Sequence, residues 1–200
     1  MNCFPVLRAR LGLSLVLALL GQGCATAGST VKPAGDDWSI VSLYPLHAGN
    51  AWSYMVDTGT ETVLTTVAVL RADGQDMVIR SGVDELRYRG TTAGLIRVGS
   101  PGHVLLAPVE VGRSWPSGPY TTTTVARRVE RIETEAGTFT GCAEVVDEDS
   151  QSGKRVSTIY CPGVGPVSVV SELGLSHSTA QVKALLRGYQ VKGQQSAATP

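Results

Sequence analysis

The residues able to do chemistry are few and scattered. Three histidines, His47, His103 and His177, punctuate a chain of 200 residues. None has another His, a Cys or an acid at the spacing that closes a tetrahedral zinc site. The nucleophile elbow G-x-S-x-G, the zinc-protease pattern H-E-x-x-H and the phosphate-binding P-loop are all absent. Gly163-Val164-Gly165 has no helical pattern after it, so it reads as a turn rather than a dinucleotide loop. The acidic run Asp147-Glu148-Asp149-Ser150-Gln151-Ser152-Gly153 invites a calcium reading. A calcium loop wants Gly at its sixth place and a bidentate acid at its twelfth. Counted from Asp147, those places hold Ser152 and Thr158. The run therefore reads as a solvated hairpin tip. Glu130, Glu133 and Glu135 interleave with Arg127, Arg128 and Arg131, as paired charges on a solvent-facing or edge strand would. No acid pair is singled out as a glycosidase dyad. The expectation is a protein without catalytic residues, metal or cofactor.

The cysteines say more. Cys3 lies in an N-terminal stretch, Met1 to Arg10, with two arginines and no acid. Leu11 to Leu20 (LGLSLVLALL) is nearly all apolar. As a helix it spans about 15 Å, half of a bilayer core of about 30 Å. That length suits a signal-peptide core and is too short for a membrane anchor. Residues 1–23 are accordingly read as a signal peptide. Gly21-Gln22-Gly23-Cys24 then resembles a bacterial lipobox, whose Cys is lipidated and becomes the first mature residue. Gly21 departs from the pattern, which prefers Leu; Leu20 sits one position early, and Gln22 is unusual. The rival is Ala25-Thr26-Ala27, a small-x-small site that releases a soluble periplasmic or secreted protein. Under the first reading Cys24 is the lipidation site and residues 24–37 form a flexible tether. Ala25, rather than Asp, follows the Cys, which by resemblance to Gram-negative sorting rules implies the outer membrane. The only partner this names is the membrane, through the lipid anchor.

Composition fixes the class of domain that follows. Lys+Arg and Asp+Glu both number 17, giving zero net charge. Losing Arg8 and Arg10 with the leader leaves 15 bases against 17 acids, or −2. Such a balance excludes the basic face a nucleic-acid binder needs. It also offers no basic patch to anionic lipid. The chain is rich in Val and Thr and holds 23 Gly but two Phe. β-Branched runs between glycine turns predict an all-β fold: an antiparallel meander of about ten strands over 38–190, forming a barrel, half-barrel or sandwich.

Strands are predicted at 51–57, 61–71, 75–81, 85–89, 95–98, 103–106, 120–134, 138–147, 154–161, 167–171 and about 179–189. The last has enough helix formers to be a short helix instead. Residues 191–200 read as a disordered tail. Asp73-Gly74 is a strong hairpin signal. A loop of those two residues predicts pairs Leu70 with Met77, Val69 with Val78 and Ala68 with Ile79. A faint repeat joins Pro45-Leu46-x-x-Gly49-x-x-Trp52 to Pro108-Val109-x-x-Gly112-x-x-Trp115, and Gly74 to Gly137 at the same offset. It predicts two similar halves, each opened by a turn that delivers a Trp to a core.

Once Cys3 and Cys24 are accounted for, Cys142 and Cys161 remain, and a bacterial periplasm is oxidising. The hairpin 138–147/154–161 centres between Gln151 and Ser152. Paired residue numbers then sum to about 303, as 142 and 161 do. The two cysteines are predicted to stand opposite, about 4.5–5.5 Å apart at Cα, and to form a disulfide.

Tyr44-Pro45-Leu46-x-x-Gly49-Asn50-x-Trp52-x-Tyr54, Ala136-Gly137-Thr138-Phe139-x-x-Cys142 and Tyr160-x-Pro162-Gly163-Val164-Gly165-x-Val167 together resemble a group of bacterial lipoproteins and secreted β-proteins without assigned activity. The resemblance implies an exported antiparallel β-domain whose motifs are structural. Gly49-x-x-Trp52 has one residue too many for the lipocalin opening G-x-W.

Two functions follow as expectations. One is a non-catalytic, membrane-tethered β-domain of the cell envelope, for scaffolding or binding. The alternative is a carrier of a lipid or other apolar ligand, with Trp52, Tyr54, Trp115 and Tyr120 lining a cavity mouth or filling the core. An apolar cavity favours the carrier; a pocket with convergent acids or a His favours an enzyme; a filled core favours the scaffold.

Overall fold

A computed structural model describes residues 38–174 and 179–192. The leader, Cys24, the tether and His177 lie outside the described residues. One helical turn, α1 (Ile40–Leu43), precedes β1 (Ala51–Asp57), β2 (Thr62–Asp73), β3 (Asp76–Ser81), β4 (Asp84–Gly90), β5 (Gly94–Arg97) and β6 (Leu105–Leu106). Then come β7 (Ser114–Pro116), β8 (Thr121–Thr134), β9 (Gly137–Asp149), β10 (Lys154–Cys161), β11 (Gly165–Gly174) and β12 (Thr179–Gln190). The strands form one antiparallel sheet in the order β6-β5-β4-β3-β2-β1-β12-β11-β10-β9-β8-β7. It curls into a nearly closed barrel.

Each strand pairs with its neighbours in sequence, and the first pairs with the last. The ladder opens once, between β6 and β7. That seam is closed by packing: Trp115 Nε1 donates to the His103 carbonyl at 2.9 Å. Gly102 also packs so tightly that a Cβ there would stand 2.5 Å from Ser117 Cα. Pro116 sits on this edge, where its missing N–H breaks no ladder.

The expected all-β meander is present, with twelve strands rather than about ten. β7 was not predicted, because three residues are too few to show alternation. The 179–190 segment is a strand, since pairing with both β1 and β11 overrides its helix formers. The first hairpin differs from its predicted register. Its loop is Gly74-Gln75, with Asp73 opposite Asp76, and a bulge at Leu70 shifts the pairs. Val69 therefore faces Ile79 rather than Val78. The predicted tail also starts too early: Val191 is buried in the core and the Lys192 N–H donates to Asn50 Oδ1 at 2.9 Å. Residues 193–200 lie outside the described residues.

The repeat has a structural counterpart. Gly49 (φ 92°) and Gly112 (φ 86°) are both left-handed. Their N–H groups donate at 2.8 Å to Val69 and Val125, whose own N–H groups return to Asn50 and Arg113. A bulge follows each of these valines. Each motif then delivers its Trp: Trp52 through β1, Trp115 through β7. The glycines further on do not correspond. Gly74 lies within its turn, whereas Gly137 begins β9 after Glu135-Ala136, because β8 runs farther past its bulge than β2 does.

The barrel interior is filled. Trp52, Tyr54, Val69, Ile79, Phe139, Val167 and Leu186 form one buried cluster, and Leu43, Leu95, Leu105, Trp115, Val125 and Val145 another. Tyr44, carried in by α1, joins them. Its ring lies 5.9 Å from those of Trp52 and Tyr88 and 6.0 Å from that of Tyr160. The β8–β9 hairpin reaches across to β12, where Ala136 N–H donates to Leu186 O and Glu135 pairs with Arg187 at 3.0 Å. Outside the barrel, Arg71 and Arg80 pair with Glu85, and Arg87 with Asp73. On these three strands, β2–β4, the outer wall is charged. Among the described residues no helix is long and apolar enough to cross a membrane.

Candidate functional site

Strand alternation builds the site. Along β9, Ala143, Val145, Asp147 and Asp149 share one side of the sheet. Ala143 and Val145 are buried in the core. The side of the strand that is apolar at mid-barrel becomes acidic as it nears the mouth. β8 behaves alike: Val125 is buried, while Thr123 and Thr121 stand opposite Asp147 and Asp149.

Here the loops on either side of the seam surround a cleft of about 350 Å3. Its chemical groups are Arg97, His103, Ser117, Asp147, Asp149 and Lys154. Thr123 Oγ1 is within hydrogen-bond reach of Asp147 Oδ1 and of Ser117 Oγ, the latter at 2.6 Å. Burial pushes the Asp147 carboxyl above the usual aspartate range, and the Thr123 hydroxyl only partly offsets it. Asp149 moves the other way. Its Oδ1 accepts from the Ser152 N–H (2.8 Å) and hydroxyl (2.9 Å), which hold the carboxyl below its ordinary value, with the Gln151 N–H (3.0 Å) adding to them.

The acidic run thus divides. Asp149 caps the turn and Ser150–Gly153 form the exposed tip, as expected. Asp147 is not part of a solvated tip, because its side chain points into the barrel mouth. The period-two pattern Ala143-x-Val145-x-Asp147 carried that signal. Arg97, at the end of β5, and His103, in the β5–β6 connection, were not legible, since only closure of the barrel brings them beside Asp147 and Ser117.

The cleft has the acids and the histidine named above as the mark of an enzyme. The His103 ring makes no hydrogen bond or ion pair with Ser117, Asp147 or Asp149 among the described residues, so no nucleophile and base are joined. No group of three or more His, Cys, Asp or Glu there could hold a metal.

The aromatic candidates separate into three anchors and one surface residue. Trp52 Nε1 donates to Val164 O at 2.6 Å, and Tyr54 OH to Pro166 O at 2.8 Å. Trp115 is the seam bond already described. All three fill the core. Tyr120 is 55% exposed, because it lies in the loop before β8, and so it neither fills the core nor lines the described cleft.

Cys142 and Cys161 form a disulfide with Cα atoms 4.3 Å apart. The β9–β10 ladder pairs Arg155 with Glu148 and Tyr160 with Ala143, which is the predicted sum of 303. Of the predicted charge pairs, Arg128–Glu130 and Arg131–Glu133 lie within β8, while Arg127 reaches Glu144 on β9.

No family profile matches the chain, and no curated protein does. Two solved structures are similar to it. One is a candidate lipoprotein from Parabacteroides distasonis, 16% identical, covering 74% of this chain and 98% of that one, with a TM-score of 0.37. The other is a candidate exported protein with a YmcC-like fold from Bacteroides fragilis, 12% identical with the same coverages and a TM-score of 0.39.

Proposed function

We propose that this chain is a non-catalytic lipoprotein of the cell envelope, anchored through Cys24, whose β-domain serves in scaffolding or binding. The observation that carries the reading is the buried Cys142–Cys161 bridge, in a chain whose apolar leader ends just before Cys24. Structural disulfides persist in oxidising compartments and are rare in a reducing cytosol. A periplasmic address accounts for the bridge, and lipidation accounts for a Cys that would otherwise be an unpaired thiol there.

Three acyl chains would hold the protein firmly, at about 0.8 kcal/mol per buried methylene. The outer membrane is the membrane implied by Ala25. A carrier with its ligand deep in the barrel has little support, because Trp52, Tyr54 and Trp115 are tied to backbone carbonyls and fill the space. Detergent phase partition tests the anchor. Wild type is expected in the detergent phase and Cys24→Ser in the aqueous phase. Wild type in the aqueous phase would contradict the anchor and leave soluble export, by cleavage after Ala27, in its place.

A further inference from the structure

The barrel mouth continues beyond the polar cleft as an aliphatic wall. Residues paired across antiparallel strands share a face. One row runs Thr123–Asp147–Val156–Ser171–Val182, and the next outward joins Thr121, Asp149, Lys154 and Leu173. The row beneath runs Val125–Val145–Thr158–Val169–Ala184–Val56–Val63. Val125 and Val145 are core residues, so all three rows face the interior. Yet Val63 is 40% exposed, Val182 41% and Leu173 37%. These aliphatic side chains face the mouth without being covered.

The polar end is charged. Asp147 and Asp149 are already served by hydroxyl and backbone N–H groups. Arg97 and Lys154 have no ion-pair partner among the described residues, although both line the cleft. Arg97 lies opposite Tyr88 in the ladder, and the Tyr88 ring packs into the core, so Arg97 also faces inward. The cleft carries two cations and two carboxylates, and Arg97 and Lys154, which no carboxylate reaches at ion-pair distance among the described residues, are the groups left to meet an anion. A cleft of about 350 Å3 holds a head group, whereas a long acyl chain must lie outside it. The wall provides that path: Leu173 is one strand spacing from Lys154, and Val63 is four from β10, about 19 Å.

We propose that the mouth binds a single-chain amphiphile with an anionic head, the head between Arg97 and Lys154 and the chain along Leu173, Val182 and Val63. This goes beyond the envelope reading and does not depend on the anchor.

The test uses the full chain carrying Cys24→Ala, so that no acyl anchor competes for the mouth. Palmitoyl lysophosphatidate, below its micelle concentration, is titrated by calorimetry. The comparison ligands are monopalmitoylglycerol and inorganic phosphate. Saturable binding of lysophosphatidate is expected, with the other two at least about tenfold weaker, the scale of one charge-assisted contact. Arg97→Gln with Lys154→Gln should weaken lysophosphatidate about tenfold or more and leave monopalmitoylglycerol unchanged. Val182→Asp should weaken both lipids, and Arg71→Gln on the outer wall neither. Circular dichroism confirms that each variant is folded. Absence of lysophosphatidate binding would overturn the proposal, as would equal binding of the uncharged lipid or of phosphate alone. Any of these failures leaves the Cys24 anchor standing.

Discussion

The Trp52 indole lies against the backbone of Gly165, so close that a Cβ at Gly165 would stand 3.3 Å from Trp52 Nε1. Gly165 also has φ +105°, a conformation L side chains rarely adopt. The same indole donates to Val164 O, so the turn into β11 and the start of β1 are fixed together. Gly165→Ala is expected to cost about 1–3 kcal/mol in urea unfolding. Gly188→Ala, where nothing lies within 4 Å, should change stability by no more than about 0.5 kcal/mol.

The disulfide closes a sequence separation of 19 residues. By the chain-entropy argument it contributes roughly 3 kcal/mol. Cys142→Ala/Cys161→Ala should unfold at lower urea by about that amount. Thiol titration of the unreduced, denatured mature protein should find neither cysteine free.

Asn50 ties the turn before β1 to the chain leaving β12. It is fully buried; its Nδ2 donates to Pro45 O at 2.6 Å, and its Oδ1 accepts from the Lys192 N–H. Asn50→Ala removes both bonds from a buried site, leaving Pro45 O with only the His47 N–H, and should destabilise by about 1–3 kcal/mol. Val191→Ser, at the same junction, should also lower stability, whereas a tail beginning at Val191 would tolerate it.

Asp147 and Asp149 should give opposite pH dependences. Burial raises the Asp147 pKa in the folded state, so the folded chain holds its proton more tightly than the unfolded chain. That contribution is present below the ordinary aspartate value of 3.8 and is lost as pH rises through the raised value. Asp147→Asn should therefore gain on wild type over that window. The Asp149 pKa is lowered, so its contribution is present above 3.8 and is lost as pH falls through the lowered value. Asp149→Asn should lose most above 3.8 and converge on wild type in acid. Urea midpoints across pH measure both.

What could be read from sequence was local. The β9–β10 hairpin has a short polar tip and no bulge between Glu148 and Ala143, so its register followed from counting. The β2–β3 hairpin looked just as legible, yet the bulge at Leu70 displaced it, and no residue type announces that bulge. Trp52 and Trp115 were recognisable as anchors because each follows a glycine turn. The cleft was hidden because Arg97, Ser117 and Asp147 come together only when the first half of the meander closes against the second. Val191 was missed because a short polar C-terminal run masks one core residue.

The central claim is an exported β-domain held by lipid at Cys24. Its most direct test is the intact mass of the mature protein purified from the envelope of an expressing Gram-negative cell. The account predicts a polypeptide beginning at Cys24, heavier by three acyl chains and their glyceryl link, and lighter by the hydrogens lost in forming Cys142–Cys161. A mature chain beginning at Gly28 with no acyl mass would contradict the anchor, and an uncut chain beginning at Met1 with free thiols would contradict export itself.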